Sequence, residues 1–334
     1  MNDLTLTTRL YSGQGLGNQL WVYAAVRSVC EKLQYNFVLE DFDQFKGKAF
    51  LDIDSHVNHG DSNIRPEIDG LSTYYEKRYF DKQMKLFTTS FDENVLKIDR
   101  SSRLEGYFQS EQYFFGDLEK LRKYIRLSKS LISKHALDAD VCVLNIRGGE
   151  YKRFKDLILP KSYWLQAMDH MRNYFGVEKF IVVTDDSPYA RYLFPGLEVV
   201  SGDVGACYAS LYSAKNVVVS NSSFAYFPIK TGLQSPNVIA PQYWARPENG
   251  YQRWANPANL YQDWLWQAKD GDLLTYADCL PQIDQTEKFY QENGYVPCSP
   301  EDIIGARSFR EWIPQPIRIQ VKKILSKVFP GSIG

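Results

Sequence analysis

Apolar and polar residues alternate at the start of the chain (Leu4, Leu6, Leu10), after which apolar residues recur at helical spacing (Leu20, Tyr23, Ala24, Val26, Val29). This change of period predicts a strand over Thr5–Tyr11, a helix over Asn18–Leu33 and then a strand over Asn36–Glu40. From Asp41 to about Glu105, polar and aromatic residues mix without a clear period, so an irregular region contributing to a binding face is expected. A second alternating section begins at Val141. It predicts strands over Val141–Ile146, Lys179–Thr184, Leu197–Val200, Val217–Ser220 and Val238–Ala240, with helices over Lys161–Phe175, Cys207–Ala214 and Phe224–Leu233. Strands and helices alternating at this spacing predict an α/β fold, with a parallel sheet covered on both faces. Two such units, joined near residues 125–140, make two Rossmann-like lobes with a cleft between them. The expected divisions are an N-terminal lobe over residues 1–130, a C-terminal lobe over 131–300 and a tail over 301–334.

Composition narrows the function classes. A net charge of −1 over 334 residues lacks the basic footprint of a nucleic-acid binder. The apolar share of 44% allows a sizeable core, and an aromatic share of 15% suits either core packing or sugar contact. The five cysteines (Cys30, Cys142, Cys207, Cys279, Cys298) and four histidines (His56, His59, His135, His170) lack metal-ligand spacing, so no metal site is expected. No secretory signal and no bilayer-length apolar run is evident, and a cytoplasmic location is expected. In the tail, Ile317, Val321, Ile324, Leu325 and Val328 share one helical face, with Arg318, Lys322, Lys323 and Lys327 on the other sides. That pattern predicts an interfacial helix over Ile317–Phe329 touching the inner membrane peripherally, although a helix docked on its own domain shares it.

Candidate chemistry sits at the predicted strand ends. The first strand runs into Gly13-Gln14-Gly15-Leu16-Gly17-Asn18-Gln19. Glycines let the backbone approach a bound group, and the free N–H groups of a helix end attract phosphate. Asn18 stands where the dinucleotide fingerprint has its third glycine, which excludes that motif. In open α/β sheets, ligands bind beyond the carboxyl ends of the strands. There the second lobe carries Asn145-Ile146-Arg147-Gly148-Gly149-Glu150, Thr184-Asp185-Asp186 and Asn221-Ser222-Ser223-Phe224. Arg147 can form paired hydrogen bonds to a diphosphate. The Ser222–Ser223 hydroxyls would lie at a helix N-terminus. Plainer readings are a surface ion pair for Arg147 and helix caps for the serines and for Asp185 and Asp186.

Together these motifs resemble the α-1,2-fucosyltransferases of bacterial O-antigen and capsule synthesis (glycosyltransferase family 11). That family shows a Gly-Leu-Gly-Asn-Gln opening, present at Gly15–Gln19, and a Gly-Tyr-Phe-Gln-Ser-Glu segment, present at Gly106–Glu111. Thr184–Asp186 is close to its Ser-Asp-Asp strand end, Asn221–Phe224 matches its Asn-Ser-Ser-Phe block, and Val238–Pro241 with Trp244 is similar to its ending. The chain departs from the family at its His-x-Arg-Arg-Gly-Asp strand end, which reads Asn145–Glu150 and keeps only the first arginine. It also departs at Ala225-Tyr226-Phe227, in place of a tryptophan pair, and at Cys207, in place of an aspartate. These changes bear on which sugar is transferred more than on the type of reaction.

The resemblance implies a GT-B-like fold and an inverting, metal-independent hexosyltransferase without a cofactor. It would move L-fucose from GDP-β-L-fucose to the 2-hydroxyl of an oligosaccharide acceptor, lipid-linked where the tail meets the membrane, in lipopolysaccharide or capsule synthesis. The implied catalytic residues are Arg147, Glu150 and Asn18, with Arg147 and the N–H groups of Gly148 and Gly149 stabilising the leaving diphosphate and Glu150 as a candidate base. The implied donor-binding residues are Gly15, Gly17, Asn18, Gln19, Asn145, Arg147, Gly148, Asp185, Asp186, Asn221, Ser222, Ser223 and Phe224. In that set Asp185 serves the base or ribose, and Asn18 and Gln19 the phosphate or sugar. The alternatives are the same fold with another nucleotide-sugar donor, a metal-dependent GT-A transferase using Asp41-Phe42-Asp43, and a non-catalytic sugar- or nucleotide-binding protein.

Overall fold

The computed structural model describes residues 4–58, 70–81, 86–153, 157–243, 260–294 and 296–297. The tail over 301–334, with the amphipathic segment Ile317–Phe329, lies outside the described residues, as do His59, Trp244 and Cys298.

The N-terminal lobe is built on strands β1 (Thr5–Arg9), β2 (Asn36–Glu40), β3 (His56–Val57), β4 (Ser72–Tyr75) and β5 (Ser102–Glu105), with helix α1 (Leu16–Leu33) between β1 and β2. The sheet order is β3-β2-β1-β5-β4, with only the short edge strand β3 antiparallel. Strand–helix–strand at the start is the predicted unit, but α1 begins at Leu16 rather than Asn18, so the helix end reaches into the glycine motif. The stretch expected to be irregular contributes β4 and β5. Their sequences, Ser-Thr-Tyr-Tyr and Ser-Arg-Leu-Glu, carry little apolar alternation, and β5 finds its partner β1 about a hundred positions back. Polar side chains stabilise this pairing. Arg103 donates to both carboxylate oxygens of Glu40, at 2.8 and 2.9 Å, and the Tyr11 hydroxyl donates to Glu105 at 2.7 Å.

The C-terminal lobe runs β6 (Val141–Ile146), α2 (Lys161–Phe175), β7 (Lys179–Thr184), α3 (Ser187–Leu193), β8 (Glu198–Ser201), α4 (Val204–Ser213), β9 (Asn216–Val219), α5 (Tyr226–Thr231) and β10 (Asn237–Pro241). It closes with β11 (Leu265–Gln267), β12 (Leu273–Leu274) and α6 (Tyr276–Glu292). The order β8-β7-β6-β9-β10-β11-β12 is parallel except for the last pair. Read from β6, this is the doubly wound order 3-2-1-4-5-6, whose switch point lies between β6 and β9. Strands β11 and β12 extend the sheet past the strand expected to be its last.

The two lobes with their parallel sheets form the GT-B-like α/β arrangement, and they are packed together. Helix α1 is apolar nearly all round, with Trp21, Tyr23, Ala24 and Val26 buried, because the first sheet covers one side and the other lobe covers the opposite side. Trp21 stacks on Tyr226 of α5 with ring centroids 4.2 Å apart, and a single hydrophobic cluster runs from Leu6 to Trp266 across both lobes. No described helix is long and apolar enough to cross a membrane.

Candidate functional site

The register of the second sheet assembles the site. Ile146 aligns with Thr184, and Thr184 with Ser201, so the residues that follow (Arg147, Asp185 and Gly202) leave neighbouring strands at one level. They open onto a cavity of about 320 Å³ lined by Asn145, Arg147, Thr184, Asp185, Asp203 and Cys207 from the C-terminal lobe. Gly15, Leu16 and Lys46 line it from the N-terminal lobe. The cavity therefore spans the inter-lobe cleft at the strand ends, where such sheets bind ligands.

Arg147 is held in place by its neighbours. Its Nη1 lies 2.8 Å from Asp185 Oδ2, its Nη2 lies 3.7 Å from Glu150 Oε1, and its guanidinium sits 5.2 Å from the Tyr151 ring centroid. Its Nε is buried without a protein partner. The other oxygen of Asp185 accepts the N–H of Gly148 at 3.0 Å. Asp185 thus has both oxygens engaged by the protein, and it serves as the positioning carboxylate of Arg147. Position 148 has to be glycine, since a Cβ there would lie 2.7 Å from the Asp186 Cβ and 2.9 Å from the Tyr189 ring. The expectation that the Gly148 and Gly149 amides serve a diphosphate is corrected, because they donate to Asp185 and Asp186 respectively.

Asn145 is 2% exposed and lines the cavity. Its Nδ2 donates to the Val183 carbonyl at 3.3 Å, while its Oδ1 has no protein partner. Burying such an acceptor costs free energy unless something donates to it. Cys207, also in the lining, carries a thiol that burial pushes up to about 11, so it presents a neutral group to the cleft.

On the opposite wall, α1 has Gly15 at its N-cap, no side-chain cap and no acidic residue in its first turn. Its leading N–H groups have no side-chain cap, and of its first residues Gly15 and Leu16 line the cavity. Gly17 does not line the cavity. It is the contact point between lobes, where a Cβ would lie 2.5 Å from the backbone carbon of Ser223. Asn18 Oδ1 accepts from Gln109 Nε2 at 2.9 Å and from Ser223 Oγ at 2.7 Å. Gln19 is wholly buried: it donates to the carbonyls of Gln44 (2.9 Å) and Tyr11 (3.4 Å) and accepts the Lys46 N–H (2.9 Å).

Several predicted residues stand beside the cavity rather than in it. Asp186 accepts the Tyr189 N–H as the cap of α3 and pairs with Lys152, which is the plainer of the two readings. Ser222 accepts the Phe224 N–H at 3.3 Å in a turn, because α5 begins only at Tyr226; the serines do not form a helix N-terminus. Asn221 donates to the Leu157 carbonyl. Glu150 is largely exposed, 70% by side chain, and is not among the lining residues. Asp41 and Asp43, the pair for a metal-dependent alternative, lie on an exposed turn outside the cavity lining.

Thr184 of the strand-end motif lines the cavity, and so do Lys46, Gly202, Asp203 and Val204, which belong to no motif. Asp203 had a legible signal, as the residue after the β8 strand and before a helix. Its Oδ1 caps α4, accepting from Gly205 (2.8 Å) and Ala206 (3.2 Å). Lys46 had none, because the hydrogen bonds of Gln19 place it.

No family model matches the chain, and no curated protein matches it in sequence. Among solved structures, it is similar to POFUT1 in complex with GDP, at 11% identity and a TM-score of 0.37, covering 71% of this chain and 98% of that one. It is also similar to a mutant of Arabidopsis thaliana FUT1 in complex with GDP, at 12% identity and 0.43, covering 74% and 72%. A third is the E. coli heptosyltransferase WaaC with ADP, at 11% identity and 0.40, covering 87% and 100%.

Proposed function

We propose that this protein is an inverting glycosyltransferase that takes a nucleoside-diphosphate sugar in the inter-lobe cleft. The observation that carries the proposal is the pairing of Arg147, pinned by Asp185, with the uncapped N-terminus of α1 across one cavity. Fixed donors converging from two walls suit a leaving diphosphate, whose charge grows as the bond to the sugar breaks. In that step the C1–O bond breaks with its electron pair passing to the diphosphate. The acceptor hydroxyl oxygen bonds to C1 from the opposite face and gives up its proton to water; Glu150, the base expected from the motif, stands beside Arg147 on the leaving-group side and outside the cavity lining, and is not assigned that proton. The ribose diol falls to Asp203, whose carboxylate is exposed, rather than to Asp185.

L-Fucose from GDP-β-L-fucose, delivered to a 2-hydroxyl of a surface-polysaccharide acceptor, is the specific assignment that the motifs support. A second reading, another nucleotide-sugar on the same fold, is favoured by Cys207, a neutral thiol where a carboxylate would accept from a base. Calorimetry with GDP, UDP, dTDP and CMP, without metal and then with manganese, separates them. Metal-free GDP binding that vanishes in Arg147→Ala supports the fucosyl assignment, and preference for another nucleotide removes it. Binding of none of these, nor of ADP, would overturn the transferase proposal.

A further inference from the structure

We infer that Lys46 is a donor-binding residue: the second cation for the diphosphate, supplied by the N-terminal lobe. This rests on the nucleotide-sugar reading of the cleft and names a residue that the motifs do not.

A diphosphate brings more negative charge than one partly neutralised guanidinium can match, and the C-terminal wall has little more to offer. Arg147 faces Asp185 at 2.8 Å and Glu150 at 3.7 Å. Lys152 is paired with Asp186, and the amides of Gly148 and Gly149 point at the two aspartates. A longer side chain cannot stand at position 148, where Asp186 and Tyr189 fill the space.

Lys46 lines the same cavity from the other side, and no carboxylate among the described residues pairs with it. Its placement is built into the lobe. The amide of Gln19 binds the Gln44 carbonyl and the Lys46 N–H, while Phe45 between them is buried, so the loop carrying Lys46 is tied to the first turn of α1. The backbone of Lys46 and the N-terminal turn of α1 are therefore fixed relative to each other, on the wall of the cavity opposite Arg147. Two orphaned atoms on the facing wall point independently to a ligand: the buried Nε of Arg147, which needs an acceptor, and the buried Oδ1 of Asn145, which needs a donor. A sugar diphosphate meets both needs, with phosphate oxygens for Arg147 and Lys46 and a hydroxyl for Asn145.

The test is calorimetry on the full-length chain with GDP, UDP, dTDP and ADP. The tightest binder is then compared with its monophosphate and nucleoside in wild type, Lys46→Ala, Lys46→Arg and Arg147→Ala. Lys46→Ala is expected to weaken diphosphate binding about ten- to a hundred-fold, the range for one charge-assisted hydrogen bond. The monophosphate should lose less and the nucleoside nothing, and Lys46→Arg should stay within about threefold of wild type. Lys46 is exposed, so an unchanged melting temperature will show that the variant is folded. Wild-type diphosphate affinity in Lys46→Ala, alongside loss in Arg147→Ala, overturns the role of Lys46 and leaves the nucleotide-sugar proposal standing. Failure of wild type to bind any of the four overturns both.

Discussion

The side-chain oxygen of Asn18 lies 2.7 Å from the hydroxyl of Ser223, across 205 positions of sequence and the boundary between the lobes. Gln109 donates to the same oxygen, so three of the motifs meet at one acceptor. Gly17 brings the helix end against the backbone of Ser223. This junction sets the distance from the α1 N-terminus to Arg147.

Asn18→Ala removes both hydrogen bonds and leaves the buried Gln109 amide and the half-buried Ser223 hydroxyl without their acceptor, so a stability loss of about 1–3 kcal/mol is expected. Ser223→Ala, which leaves Gln109 paired, should cost less. Gly17→Ala, whose Cβ has no room, should cost the most. Urea denaturation of the three variants checks this ranking; equal effects would mean that the junction carries no load.

Arg147→Lys keeps the charge but loses the planar fork that Asp185 and Tyr151 hold in place. Diphosphate affinity should fall about tenfold, reflecting the loss of paired hydrogen bonding. Calorimetry reads it directly, and retention of wild-type affinity would contradict the assigned role.

Lys230 forms a further inter-lobe tie. Its side chain is 5% exposed, pairs with Glu111 at 2.8 Å and lies 5.3 Å from the Tyr261 ring centroid. Glu111 also accepts from the Tyr226 hydroxyl at 2.9 Å. Lys230→Met leaves the partly buried Glu111, 17% exposed by side chain, without its cation and should destabilise the protein by about 1–3 kcal/mol. Thermal unfolding checks it, and a shift of the size seen at exposed positions would show that the carboxylate finds water instead.

Glu76 gives the protein a pH dependence. It is fully buried, accepts the N–H groups of Tyr107 (2.7 Å) and Phe108 (2.9 Å), and burial pushes its carboxyl up to about 8. A carboxyl raised in the folded state holds its proton better there than in the unfolded chain. Its contribution is therefore complete below the ordinary carboxylate range and declines as pH rises toward 8. Denaturation midpoints should fall over that interval in wild type, with a flatter trend in Glu76→Gln. Parallel trends would mean that Glu76 does not titrate there.

The strand ends are legible because β6, β7 and β9 are short continuous apolar runs, a local signal, and each ends at its polar motif. Strands β4 and β5 were not, since their stability comes from partners far away in the chain, such as Arg103 with Glu40. Helix α1 starts two residues before the apolar period predicts, because glycines in a first turn carry no apolar signal.

The α/β class, the two Rossmann-like units and the polar motifs at the strand ends are legible in the sequence, because periodicity and glycine placement act through neighbouring positions. Which partner each motif residue meets depends on the packing of distant segments. It turned Asp185 to Arg147, Asn18 to Ser223 and Gln19 to the Lys46 loop, and it brought Asp203 and Lys46 into the cavity. Hydrogen-bond partnership depends on which groups come within about 3 Å of each other, and for these residues that was settled by sheet register and by the packing of one lobe on the other.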